Sequence, residues 1–234
     1  MEMQRYEVEV KALLGSEESA EVLRARMRHI DPASKLISRN KQLNHYFMGG
    51  DLKKLAKAVA PHFLAETFKK FKDLAQKARD VSVRTRQTNK GEDNEVFLVV
   101  KASVGDDTSS NGVTRMEFEE KFNPPAGGLL DDLDQLLMNA GFVYQAKWSR
   151  EREEYVCQGI AVCLDRNAGY GWLAEFEKVV DSEHELENAR SEVRSLMDAC
   201  GVLELQQERL ERMFAFYNAH WGEYYGTDKV FTIA

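Results

Sequence analysis

Tyr6-Glu7-Val8-Glu9-Val10-Lys11 alternates strictly, with charge at the odd positions and Tyr or Val at the even ones, and this two-residue period predicts a β-strand. A helix should follow from Ser16, a good N-cap with Glu17 and Glu18 in the favourable first turn. Leu23, Met27 and Ile30 give it an apolar stripe, and Asp31-Pro32 ends it. Leu43 to Met48 reads as a second strand, closed by Gly49-Gly50-Asp51. Over residues 52–80 the apolar positions Leu52, Leu55, Val59, Phe63, Leu64, Phe68, Phe71 and Leu74 recur at helical spacing, predicting two helices broken near Pro61. Strands are predicted at Val81 to Gln87, Val96 to Lys101, Thr114 to Glu120, Phe142 to Tyr155, Ile160 to Asp165 and Trp172 to Glu177. Leu129, Leu133, Leu136 and Leu137 mark a helix with Gly141 past its end. From Asp181 the pattern is helical, with one stripe through Leu186, Ala189, Val193, Leu196 and Met197 and another through Leu210, Met213, Phe214, Tyr217 and Trp221.

Eight strands with few connections long enough for parallel crossovers predict an α+β chain, an antiparallel sheet or closed barrel with helical cover. Composition changes little: 43% apolar and 30% charged residues over 234 positions are ordinary for a globular chain. The net charge of −7 argues against generic attraction to nucleic acid or an anionic membrane. There is no apolar run of about 18 residues, and Met1 to Arg5 leads straight into Glu7 and Glu9, so neither a spanning helix nor a signal peptide is expected. Cys157, Cys163 and Cys200 lack a C-x-x-C spacing, which leaves no disulfide framework or structural zinc site to expect. The expectation is a cytoplasmic protein.

The candidate chemistry lies in the alternation itself. Charge recurs at i, i+2 in Glu7/Glu9/Lys11, Arg84/Arg86, Arg115/Glu117/Glu119, Arg150/Arg152 and Glu175/Glu177, with Lys101 and Asp165 at strand ends. The opposite positions are apolar: Val8/Val10, Val81/Val83, Met116/Phe118 and Ala174/Phe176. Such strands can point their charges to solvent over an apolar core. Alternatively the sheet closes with charge inside while the amphipathic helices bury its apolar outer face. In the second case seven acids face seven bases, and either they pair or the acids hold hard divalent cations while the bases hold a polyanion.

Glu7-Val8-Glu9-Val10-Lys11 resembles the Glu-x-Glu-x-Lys signature of the CYTH superfamily, the triphosphate tunnel metalloenzymes. Its neighbours follow in that family's order: His45-Tyr46-Phe47, Val83-Arg84-Thr85-Arg86, Val99-Val100-Lys101, Arg115-Met116-Glu117-Phe118-Glu119, Arg150 to Tyr155, Leu164-Asp165 and Gly169 to Glu177. The similarity spans residues 5–178. Three features depart from it. Met48-Gly49-Gly50-Asp51 replaces an acidic turn, Arg150 stands where lysine is usual (Lys147 being the other candidate), and residues 52–80 look like an insertion.

The resemblance implies an eight-stranded antiparallel closed β-barrel, a tunnel with a charged lumen, over residues 1–180, with helices of 181–234 packing on it. It implies a triphosphate bound inside with Mg²⁺ or Mn²⁺. Carried over by position, the metal ligands are Glu7, Glu9, Asp165, Glu175 and Glu177. The phosphate-binding set is Lys11, Arg84, Arg86, Lys101, Arg115, Arg150 and Arg152, with Lys11 and Glu9 also catalytic and Glu117 and Glu119 in support. The leading expectation is metal-dependent hydrolysis of a triphosphate (inorganic, nucleoside or thiamine). The alternatives are class IV adenylate cyclase chemistry, making cyclic AMP and pyrophosphate from ATP, and a non-catalytic polyphosphate or nucleotide binder. The expected partner is a triphosphate-containing small molecule, with no nucleic acid and no membrane. The insertion, with its basic polar face, would serve as a lid or an oligomer contact, a homodimer included. His45, His184, Cys163 and Gly169-Tyr170-Gly171 read as structural residues.

Overall fold

Period-two segments do form the strands. The structure, a computed structural model, describes residues 6–77, 81–90, 93–103, 115–123 and 129–233. Among these are eight strands: β1 (Tyr6–Gly15), β2 (Lys35–Gly49), β3 (Val81–Lys90), β4 (Asp93–Ser103), β5 (Arg115–Lys121), β6 (Phe142–Cys157), β7 (Ile160–Asn167) and β8 (Gly171–Val180). The six helices are α1 (Glu17–Ile30), α2 (Leu52–Val59), α3 (Ala65–Lys77), α4 (Leu130–Asn139), α5 (Leu186–Cys200) and α6 (Gln207–Tyr224). The strands form one antiparallel sheet in the order β1-β8-β7-β6-β2-β3-β4-β5. The α+β class and the eight antiparallel strands agree with expectation. The expected closure is not seen, because among the described residues no ladder joins β1 to β5, the strands at the ends of the order. No described helix is long and apolar enough to cross a membrane.

The chain divides into two compact units. Among the described residues the first holds 6–40 and 149–233, and its ladders are β1–β8, β8–β7 and β7–β6. The even positions of β1 (Val8, Val10, Ala12) share a buried cluster with Val162, Leu164, Ala174 and Phe176. Ala20, Leu23 and Met27 of α1 and Ala189, Val193 and Leu196 of α5 complete it. Helices therefore cover the apolar face of these strands, as the second of the two placements requires. Ser16 caps α1 by accepting from the Ser19 amide, and α5 ends on Gly201 in the left-handed conformation. The glycines of Gly169-Tyr170-Gly171 are demanded by the turn: φ is 87° and 72°, and a Cβ at Gly169 would stand 2.7 Å from the Tyr217 ring. The turn is structural, as expected, and the terminal segment bridges it through Lys229 and Phe231.

The second unit holds 41–77, 81–90, 93–103, 115–123 and 129–148. Its ladders are β2–β3, β3–β4 and β4–β5. Val83, Leu98, Val100 and Phe118 form one buried cluster with Leu55 and Val59 of α2, Phe71 and Leu74 of α3, and Leu133 and Leu137 of α4. The insertion is two helices joined by a 3-10 turn at Ala60–His62, as the Pro61 break predicts. Leu55, Val59, Phe71 and Leu74 of its apolar stripe are buried in this unit's core, Leu52, Phe63 and Phe68 pack against it half-buried, and Leu64 is exposed. Lys53, Lys54, Lys57, Lys69, Lys70 and Lys72 remain exposed on its other side.

Candidate active site

In the first unit, register sets the charged face. Glu9 lies opposite Glu177 and Lys11 opposite Glu175 between β1 and β8. Cys163 lies opposite Glu175 between β8 and β7, and Asp165 opposite Arg152 between β7 and β6. Side chains two apart on a strand share a face, so these residues project together, away from the face under α1 and α5. Glu7, Glu9 and Glu177 converge: one carboxylate oxygen of each lies within 4.8 Å of the others. Three half-buried carboxylates at that range repel one another, and oxygen donors of this kind suit a hard divalent cation.

Beside this group the acids and bases interlock. Arg152 binds Asp165 with Nε to Oδ1 at 2.7 Å and Nη2 to Oδ2 at 2.6 Å, and Nη2 also donates to Glu175. Arg150 Nη1 reaches Asp165 Oδ2 at 2.8 Å. Lys11 pairs with Glu9 and lies 3.6 Å from Glu175. Burial alone would raise the Glu175 carboxyl, but Lys11, Arg152 and Arg150 overcome it and hold the group well below the usual carboxylate range. Burial likewise opposes the Arg152 charge, yet Glu175 and Asp165 keep its guanidinium protonated well above its ordinary value. Burial pushes the Cys163 thiol up to about 12, which leaves it unreactive as a thiolate.

Of the five expected metal ligands, then, Glu7, Glu9 and Glu177 come together, Glu9 also pairing with Lys11, whereas Asp165 and Glu175 lie among the bases Arg150, Arg152 and Lys11. Arg150 lies beside Asp165. Lys147, the other candidate, stands with its ammonium 4.2 Å from the centre of the Tyr144 ring.

In the second unit Arg84 and Arg86 share a face of β3. Tyr46 accepts from Arg84 Nη1 at 2.8 Å, and Asn44 accepts from Arg86 Nε at 3.0 Å. Glu119 accepts from Arg86 Nη1 at 2.6 Å. Lys101 lies opposite Ser82 and Glu117 in the ladders, on that same face. The side chains of Arg115 and Glu117 lie outside the described residues. Asn44 was not legible as part of this set. Its signal is register alone, since it sits directly across from Arg86.

Behind that face, Asp134 of α4 is fully buried and accepts from Thr85 Oγ1 at 2.5 Å and Tyr144 Oη at 2.7 Å. His45 Nδ1 lies 2.6 Å from Asp134 Oδ2. His45 is thus a packed strand residue, as expected, and His184 is exposed.

The architecture is that of an α+β protein whose antiparallel strands carry carboxylates and guanidinium groups on one face and helices on the other. The sequence matches the CYTH domain over residues 5–209, and the chain belongs to that family. Its members are metal-dependent enzymes acting on triphosphates. A protein of Pyrococcus horikoshii OT3 is 21% identical with a TM-score of 0.62, covering 90% of this chain and 99% of its own. A conserved hypothetical protein of Pyrococcus furiosus is 18% identical with a TM-score of 0.58, covering 86% and 93%. A Vibrio parahaemolyticus protein with a provisional adenylate cyclase name is 14% identical with a TM-score of 0.57, covering 90% and 98%. At these identities the likeness shows the fold alone. No curated protein matches the sequence.

Proposed function

We propose that the chain hydrolyses a triphosphate with a divalent cation, Mg²⁺ or Mn²⁺. The observation that carries this reading is the convergence of Glu7, Glu9 and Glu177 on the strand face that also presents Lys11, Arg150 and Arg152. Glu7, Glu9 and Glu177 would hold the cation, which supplies charge neutralisation at phosphoryl oxygens and lowers the pKa of an attacking water. Arg150 and Arg152 grip phosphate oxygens while Asp165 and Glu175 fix their orientation from behind. Lys11, between Glu9 and Glu175, is placed to contact phosphate or to help orient the nucleophile. The family resemblance assigns phosphate contacts to Arg84, Arg86, Lys101 and Arg115 as well, with Glu117 and Glu119 in support, and the proposal keeps that assignment. No covalent enzyme intermediate is needed, because positioning and charge stabilisation carry most phosphoryl transfer.

The second reading is cyclisation of ATP, in which the ribose 3′-hydroxyl attacks the α-phosphate and pyrophosphate leaves. The provisional name of the Vibrio relative favours it. Incubation with tripolyphosphate, ATP and thiamine triphosphate plus Mg²⁺ or Mn²⁺ separates the readings. Release of free phosphate supports hydrolysis, and cyclic AMP with pyrophosphate supports cyclisation. Tight binding without turnover overturns both in favour of a binding module.

A further inference from the structure

The strand motif Arg150 to Tyr155 carries two more acids, Glu151 and Glu153, that the charged face does not use. They point to the other side of β6, the side that α1 partly covers. There the first unit holds a cleft of about 480 Å³, within the range of roughly 300–1,000 Å³ that small-molecule sites occupy. Its floor is a buried ionic group. Arg24 Nε donates to Glu153 Oε2 at 2.8 Å, Tyr155 Oη donates to the same oxygen at 2.9 Å, and Arg39 Nη2 donates to Oε1. The Arg24 guanidinium also stacks over Trp172, 4.9 Å from the ring centre. Such a group seldom stabilises a fold more than apolar residues of equal volume would.

Glu153 accepts from three donors and Glu21 pairs with Arg24, while Glu17 and Glu151 are the other acids of the lining. Towards the C-terminal end of α1 the lining is cationic. Arg28 and Lys35 are exposed, neither has an ion pair among the described residues, and Arg39 commits only part of its fork. Ser34 lines the same cleft, and its buried hydroxyl has no nitrogen or oxygen partner among the described residues, only the Cys157 thiol beside it. Three cations and a hydroxyl lining one cleft are the complement of a phosphate group, which offers charge and several acceptor oxygens.

We propose that this cleft is a second ligand site, taking a phosphate group through Arg28, Lys35, Arg39 and Ser34. The group is either free phosphate or a phosphomonoester whose remainder extends along α1 towards Trp172. The proposal uses none of the residues assigned to triphosphate chemistry, so it stands or falls independently of that reading.

The test is calorimetric titration of the full chain with adenosine 5′-monophosphate and, separately, inorganic phosphate. Saturable binding is expected, weakened at least about tenfold in Arg28→Ala/Lys35→Ala and about fivefold in Ser34→Ala, where charge is unchanged. Both variants alter surface or small side chains, and matching unfolding curves confirm that they fold. Tighter binding of the nucleotide than of phosphate identifies a monoester site. Equal binding of the two identifies a site for the free anion. Absence of saturable binding, or binding indifferent to both variants, overturns the proposal.

Discussion

Arg152 grips Asp165 with two nitrogens, Nε on one carboxylate oxygen and Nη2 on the other, while Asp165 itself has no exposure to solvent. A carboxylate so enclosed acts first as an anchor for guanidinium groups, because its oxygens are already occupied by Arg152 and Arg150. Orientation of the two arginines is therefore built into the sheet by register, Arg152 lying directly opposite Asp165.

Removing Arg152 should accordingly cost stability as well as binding. Arg152→Ala leaves Asp165 with Arg150 alone and takes a cation from Glu175. Breaking one side of a buried pair typically costs about 3–5 kcal/mol. Urea unfolding should show a clearly lower midpoint at unchanged slope. An unchanged midpoint would mean that water solvates Asp165 in the folded state.

The acids of this face should respond to neutralisation in different ways. Glu177 is one of three carboxylates that converge, so Glu177→Gln should weaken Mn²⁺ binding more than about tenfold. Glu175 sits between Lys11 and Arg152, so Glu175→Gln should lower the unfolding midpoint. Thermal melts of both variants with and without Mn²⁺ decide the matter. Equal loss of the Mn²⁺-induced rise in both variants would count against the division between cation-binding and anchoring acids.

Acid should act through the anchoring residues. The Glu175 carboxyl is depressed in the folded state, and so is Glu153, where burial is overcome by Arg24, Tyr155 and Arg39. A depressed carboxyl contributes stability that is fully present above its unfolded pKa, about 4.3. That contribution is lost as pH falls through the lower folded value. The wild-type midpoint should therefore decline below about pH 4.5 more steeply than that of Glu175→Gln or Glu153→Gln, measured by urea melts across the acid range. Parallel declines would show that neither group is linked to folding.

Much of this arrangement can be read in the chain before any coordinates. Glu7/Glu9/Lys11 and Glu175/Glu177 announce a charged strand face because nothing else in a half-buried strand places charge at i, i+2 while valine or phenylalanine fills the gaps. Leu23 and Met27, or Val193 and Leu196, likewise announce helices that need an apolar surface. The first half of β2 was not legible. Lys35 to Gln42 shows no apolar alternation, and its buried positions Asn40 and Gln42 are polar, so the strand looks like loop until its partners are known. Nor could pattern alone divide the acids into cation-binding and anchoring sets, since that division depends on which strand each one faces across the sheet.

Asp134 is a buried carboxylate whose place the helical pattern discloses. It falls between Leu133 and Leu137 on the apolar stripe of α4, where a carboxylate requires buried donors. The structure supplies them from three strands: Thr85 of β3, His45 of β2 and Tyr144 of β6. Two of those residues alternate with the cationic face. Thr85 lies between Arg84 and Arg86, and His45 lies between Asn44 and Tyr46, which hold those arginines. Asp134→Ala should thus remove the acceptor of the buried Thr85 hydroxyl and the contacts to His45 and Tyr144, at about 1–3 kcal/mol for a buried donor left unpaired. It should also loosen the strand register that pairs Arg86 with Asn44. Asp134→Asn retains one acceptor oxygen at nearly the same volume, so a smaller loss is expected. Unfolding midpoints should fall in the order wild type, Asp134→Asn, Asp134→Ala, and tripolyphosphate affinity, measured well below each midpoint, should follow that order. Equal affinity across the three folded proteins would reduce Asp134 to a packing residue and detach it from Arg84 and Arg86.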